Sequence, residues 1–160
     1  MTEDNNRATI AVFSGDMDKV FAALSIATGC AAAGMETTLF FTFWGLNVLR
    51  KDKPVKAKSL LGKMMSVMNR GGIQRLNPSR FSFGGIGRVL FSKMMRDKGV
   101  ASLEELLQTA VDLDVHLVAC KTSLDVLEIT RDDLIPEVED IVGVATFVRD
   151  AARSKIQLFI

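Results

Sequence analysis

Residues 115–126, VHLVACKTSLDV, set a short apolar run directly against a polar, helix-starting turn, with Cys120 at the junction. Val115, Leu117 and Ala119 alternate with His116, Val118 and Cys120, a pattern that predicts a buried strand ending at Cys120 and running into a helix. Thr122 and Asp125 have the hydroxyl-x-x-acid spacing of a helix N-cap, and Ser123 is an alternative cap. The sulfur is therefore expected beside free backbone N–H groups and the positive end of a helix dipole, with Lys121 next to it. That setting favours a thiolate, while Asp125 works in the other direction. The opposing reading is a small hydrophobe at a strand end, because free cysteine is among the most buried residue types.

Working outward, the same strand-then-helix grammar recurs. Ala8–Phe13, ATIAVF, reads as a strand closed by Ser14, Gly15 and Asp16, and the alanine-rich run from Met17 to Ala33 as a helix apolar nearly all round, buried between a sheet and another layer. Cys30 lies in this helix among Ile26, Ala27 and Ala31 and reads as packing. Glu36–Phe43, ETTLFFTF, is β-branched and aromatic enough for a central strand. Ser102 and Glu105 form a capping box for a helix to Leu113, with Leu103, Leu106, Leu107, Ala110 and Val111 on one face. Thr130 and Asp133 repeat the capping spacing, Glu139–Gly143 suits a short strand, Gly143 opens a last helix, and Ile156–Ile160, IQLFI, is a fifth strand. The expected fold class is α/β, a single domain over residues 1–160. In such sheets the ligand-facing edge is where strands end and helices begin, which is where Cys120 falls.

Residues 44–100 interrupt this pattern. Between Arg50 and Lys98 there are 13 basic residues and 2 acidic ones, while the rest of the chain has 7 basic and 17 acidic, so the net charge of +1 hides a basic block on an acidic body. A block of this kind can meet nucleic acid, an anionic membrane surface or an acidic protein. The favoured reading is mutual neutralisation of block and body, within one subunit or across a homo-oligomer, without nucleic acid. Pro54 suits the first turn of an amphipathic helix carrying Ala57, Leu60, Leu61, Met64, Met65 and Met68. Five of the eight methionines fall in the block, which points to core or a subunit interface, with an adaptable docking groove as the alternative. Asn69–Gly87 reads as a loop, followed by a short helix from Ile86 to Met95. The FGGIGR run misses the full dinucleotide-loop spacing and no strand leads into it.

Composition limits what the cysteine can serve. A chain of 160 residues, 48% hydrophobic and 24% charged with a mean hydropathy of +0.23, buries a sizeable core and hints at buried interfaces. Cys30 and Cys120, ninety positions apart, form neither a metal-ligand spacing nor a disulfide framework, so no metal and no cofactor is expected. The opening MTEDNNR lacks the marks of a signal or transit peptide, and the greasiest run, Thr38–Leu49, is too short to cross a bilayer, so a cytoplasmic location is expected.

VHLVACKTSLDVL, the closing GVATFVRDA with IQLFI, and the WG after the second strand resemble the DsrE/DsrF-like sulfur-relay family, in particular its subgroup with a long insertion after strand two. The resemblance implies a three-layer α/β/α sandwich around a mainly parallel five-stranded sheet, in a homo- or hetero-oligomer. It further implies that Cys120, at the matching position, accepts sulfane sulfur as a persulfide and hands it to a TusA-like carrier, with a rhodanese-like protein as a possible donor. Leu127 and Glu128 depart from the methionine-glycine pair expected after the turn. The expectation is a homo-oligomeric sulfurtransferase in which Cys120 is the persulfide carrier and Lys121, Thr122 and Ser123 shape the anion-stabilising turn. His116, about 13 Å up the strand from Cys120, is expected to be structural. Two other readings stand beside this one: a binding module with Cys120 inert and the basic insertion as working surface, or a peroxide-reducing thiol oxidoreductase. The latter is suggested by the C-x-x-S spacing of Cys120 and Ser123, with Cys30 as resolving thiol.

Overall fold

Strands at Arg7–Val12 (β1) and Glu36–Phe41 (β2) lie parallel, joined by the helix Met17–Ala32 (α1). The structure is a computed structural model that describes residues 6–160; the residues that open the MTEDNNR stretch lie outside it. His116–Cys120 (β3) adds to β2, Asp140–Val142 (β4) adds to β3, and Ile156–Phe159 (β5) adds to the far side of β1. The order is β4-β3-β2-β1-β5, and every pairing is parallel. All strand C-termini therefore share one edge, the edge that carries Cys120.

Parallel strands need covered faces, because crossover connections lay helices over them. On one face Ile10, Val12, Leu39, Phe41, Leu117 and Ala119 meet α1 and the helix Leu103–Asp112 (α5). Fully burying a side chain of this size contributes about 1.5–3 kcal/mol. The α5 capping box forms as its spacing predicts, with Glu105 N–H donating to Ser102 Oγ at 3.2 Å and Ser102 N–H donating to the Glu105 carboxylate at 2.7 Å. On the other face the helix Val144–Ala151 (α7) lays Phe147 on Phe40, ring centroids 4.9 Å apart. These are the three layers expected. One detail differs: α1 buries a single stripe, Met17, Val20, Ala23, Leu24, Ala27 and Cys30, and Ile26 on its back is exposed. Alanine is apolar but small, so a run of it does not report a second covering layer.

The second strand stops at Phe41, earlier than expected, because a 3-10 turn over Phe43–Gly45 leads into a short helix, Leu46–Leu49 (α2), whose Leu46, Val48 and Leu49 join the core. Gly45 makes this turn possible: a Cβ there would lie 2.0 Å from the Val12 carbonyl oxygen.

Beyond it come the helices Leu60–Met68 (α3) and Ile86–Asp97 (α4). Pro54 lies outside any helix and Ala57 precedes α3, which is started instead by Ser59, whose Oγ accepts the Gly62 N–H at 2.9 Å. The apolar set reads as core or subunit interface, and within the single chain Leu60, Leu61, Met64 and Met68 are exposed while Ala57 and Ser66 are buried. Gly84 and Gly85 take positive φ on the way into α4, and Gly87 packs against the Phe81 carbonyl, so the FGGIGR glycines serve the turn.

Candidate functional site

The helix after β3 spans Lys121–Val126 (α6), two residues earlier than the Thr122 cap would place it. Cys120 itself is the N-cap residue, with φ −75° and ψ 116°, and its side chain caps nothing. Thr122 and Ser123 consequently lie in the first turn of α6, where their backbone N–H groups have no carbonyl partner within the helix. The sulfur is placed against these donors.

Cys120 is 5% exposed. Burial by itself pushes the thiol up, but the Ser123 hydroxyl and backbone N–H, the Thr42 hydroxyl and the Thr122 backbone N–H lie about the sulfur, and together they hold it below the ordinary cysteine value. Thr42 Oγ1 and Ser123 Oγ are also 2.7 Å apart. In such a pair one hydroxyl gives its proton to the other, which is left free to give its own to the sulfur. Thr42 comes from the end of β2. The register sets Phe41 beside Ala119, so the next residues along, Thr42 and Cys120, become neighbours at the strand ends. Sequence reading missed Thr42, because its place beside Cys120 follows from strand order and register across 78 positions of chain.

Lys121 does not reach the sulfur. Its Nζ donates to both oxygens of Asp125, at 2.5 and 2.6 Å, on the exposed side of α6. The cation and the acid expected to oppose each other at the thiol are spent on one another. Of the three residues expected to support the thiolate, Ser123 brings its hydroxyl and backbone N–H near the sulfur, Thr122 brings its backbone N–H alone, and Lys121 stands apart.

His116 is on β3 with its Nδ1 2.8 Å from Glu139 Oε2, facing a cleft of about 270 Å³ that also includes Thr38 and Arg149. Cys30 sits near the end of α1, at the edge where the strands begin, and burial pushes its thiol up. A strand of six residues is about 20 Å long, so Cys30 and Cys120 lie at opposite ends of the sheet, far beyond the roughly 7 Å Cα limit for a disulfide. Among the described residues no group of three or more His, Cys, Asp or Glu is placed to hold a metal ion.

Two further features frame the site. Phe13, Phe43 and Phe159 form an apolar rim along the same edge, with Phe13 5.6 Å from each of the other two rings, and Trp44 is partly exposed beside them. After α6, Glu128 takes φ 52°, the conformation that a glycine adopts freely. Its carboxylate accepts the Lys58 N–H at 2.6 Å, the Ser59 N–H at 3.2 Å and the Ser59 hydroxyl. The cysteine turn is thus tied to the start of α3.

Comparison with known proteins bears on the family and the fold. The model of the DsrE/DsrF/DrsH-like family matches residues 4–159. The chain is 40% identical over 162 residues to the uncharacterized protein YrkE of Bacillus subtilis, covering all of both chains. It is 30% identical over 160 residues to the sulfur carrier protein DsrE2 of Allochromatium vinosum, covering 98% of this chain and 99% of that one. Among solved structures, the ychN protein of E. coli superposes with a TM-score of 0.56 at 14% identity, over 96% of this chain and 99% of its own. The protein of unknown function MTH1491 from Methanobacterium thermoautotrophicum gives 0.53 at 19%, over 96% and 98%. At these identities the two structures bear on the fold alone.

Proposed function

This chain belongs to the DsrE/DsrF/DrsH-like family, and on that premise we propose that it is a sulfur-relay protein whose Cys120 carries sulfane sulfur as a persulfide. The observation that carries the reading is a buried thiol at the strand-end edge, with the hydroxyls of Thr42 and Ser123 and the backbone N–H groups of Thr122 and Ser123 gathered about it and holding it below the ordinary cysteine value. The similarity to the sulfur carrier DsrE2 supports the same direction.

In the loading step the Cys120 thiolate attacks the outer sulfur of a donor persulfide. A new S–S bond forms, the donor's S–S bond breaks, and the donor thiolate leaves with the electron pair, so no external oxidant or reductant enters. In the unloading step an acceptor thiolate attacks the terminal sulfur and Cys120 departs as thiolate. The donors from Thr42, Thr122 and Ser123 stabilise Cys120 both as attacking and as leaving group, because the same negative sulfur appears at both ends of the cycle. No general base is required. Since Cys120 is buried, donor and acceptor must present their sulfur on a narrow, protruding segment, and the apolar rim of Phe13, Phe43, Trp44 and Phe159 offers such a segment something to rest on. A TusA-like carrier and a rhodanese-like donor fit this requirement, and the working unit is a homo-oligomer.

A peroxide-reducing role is disfavoured by the separation of Cys30 from Cys120, which leaves no resolving thiol within one chain. The test follows the sulfur outward. Protein loaded with persulfide is mixed with a small cysteine-bearing carrier protein, and both are weighed intact. The added mass, about 32 Da, should leave this chain and appear on the carrier. Retention on Cys120 with every cysteine-bearing carrier and small thiol offered would remove the relay reading.

A further inference from the structure

The two helices of the insertion are inside out. On α3 the outward stripe is Leu60, Leu61, Met64, Val67 and Met68, with Leu60 86% and Met68 76% exposed. Its inward side is Gly62 and Ser66, a close-packed pair of small residues; a Cβ on Gly62 would meet Ser59, Ala57 and Glu128 atoms within 2.9 Å, and Ser66 Oγ donates to the Val55 carbonyl at 2.9 Å. α4 repeats the inversion, with Ile86, Val89, Leu90 and Met94 outward and Gly87 inward. Phe81 and Phe83, before α4, are equally exposed and border an apolar groove of about 640 Å³ along it. A soluble monomer leaves apolar side chains bare singly but seldom as whole helix stripes, and here two stripes and two phenylalanines are bare.

Charge selects the occupant. The block has only two acids, and each is taken by a neighbouring cation, Asp52 by Arg75 at 2.5 Å and Asp97 by Lys93 at 2.6 Å. The neutralisation by the acidic body that the sequence suggests is slight: among the described residues Lys53 with Asp133, at 3.7 Å, is the one ion pair from block to body. Among the described residues Lys63 on α3, Arg80 beside the phenylalanines and Arg96 on α4 have no acidic side chain within ion-pair distance. A second copy meeting this face with its own would set these cations against their like. An anionic bilayer surface offers acyl chains to the apolar stripes and phosphate to the cations together.

We propose that the insertion is a docking surface for an anionic phospholipid membrane, on which α3 and α4 lie in the plane of the headgroups with the Phe81–Phe83 turn inserted. At 9 and 12 residues the helices are about 14 and 18 Å long, short of the roughly 30 Å of a hydrocarbon core, so they lie on the bilayer and do not span it. Glu128 joins this surface to the cysteine turn, so a docked molecule holds Cys120 close to the membrane. The inference does not depend on the sulfur chemistry.

Co-sedimentation of the purified full chain with vesicles tests it, using phosphatidylcholine alone and phosphatidylcholine mixed with phosphatidylglycerol. Binding to the mixed vesicles should exceed binding to the neutral ones by at least about tenfold, given about 1 kcal/mol per cation near the surface, and should weaken as salt is raised. Met64→Glu combined with Leu90→Glu should abolish binding while leaving the melting temperature and the loading of Cys120 unchanged, both side chains being exposed. Lys63→Glu with Arg80→Glu should weaken it. Wild-type protein that stays in the supernatant, or binds both vesicle types equally, overturns the proposal. An oligomer that sedimentation velocity detects without vesicle binding, and that Met64→Glu with Leu90→Glu dissolves, would assign the face to a second copy instead.

Discussion

At the scale of single residues, the reactivity of Cys120 is set by what opposes its burial. A thiol 5% exposed in an apolar setting titrates high and is inert, whereas this one is held low by Ser123, Thr42 and the Thr122 N–H. Thr42→Val and Ser123→Ala each remove a donor while nearly preserving volume. Both should move the midpoint of a pH–rate profile for Cys120 alkylation upward and slow the reaction at neutral pH by roughly three- to tenfold. Lys121→Ala should leave the profile in place, because that ammonium is occupied by Asp125; a comparable shift in this variant would contradict the assignment. VHLVACKTS was enough to locate the cysteine at a strand end. It was not enough to identify the groups that tune it, since one comes from β2 and the lysine nearest in sequence faces away.

At the scale of elements, helix starts and helix faces are set by local contacts that the sequence shows only in part. The Ser102–Glu105 box is complete within four residues and was readable; Ser102→Ala should cost about 1 kcal/mol, seen as a fall in melting temperature of roughly 2–4 °C. The outward face of α3 was not readable. Periodicity reports that Leu60, Leu61, Met64 and Met68 share a side, but which side faces the protein is decided by Gly62 fitting closely against Ser59, Ala57 and Glu128 and by Ser66 donating to the Val55 carbonyl. Glu128 likewise looked like a departure from a family glycine, and in the fold its carboxylate anchors the start of α3. The Ser59 hydroxyl, then the Ser59 and Lys58 N–H groups, hold this carboxyl below the usual range. A depressed carboxyl contributes its anchoring fully above the unfolded value of about 4.3 and loses it as pH falls through the folded value. Amide exchange over residues 58–62 should therefore accelerate in acid, and Glu128→Gln should show at neutral pH much of what acid does to the wild type.

At the scale of the whole molecule, one parallel sheet collects every strand end on a single edge, and both the cysteine turn and the tether to the insertion lie there. The five strands follow from alternation and capping signals and the three layers from the family resemblance, but the order β4-β3-β2-β1-β5 follows from neither, because near-identical apolar strands carry no label for their neighbours. Gly45 shows how far the fold depends on one close approach: Gly45→Ala would force a methyl group onto the Val12 carbonyl and should cost about 1–3 kcal/mol, measurable by denaturant melting. The central claim is that this architecture makes Cys120 a sulfur carrier. Its most direct test is the intact mass of the reduced protein before and after exposure to a persulfide donor, with Cys120→Ser and Cys30→Ser alongside. The account predicts a gain of one sulfur, about 32 Da, on wild type and Cys30→Ser, lost on Cys120→Ser and reversed by a thiol reductant. Wild-type protein that gains no mass, or Cys120→Ser protein that still does, would contradict it.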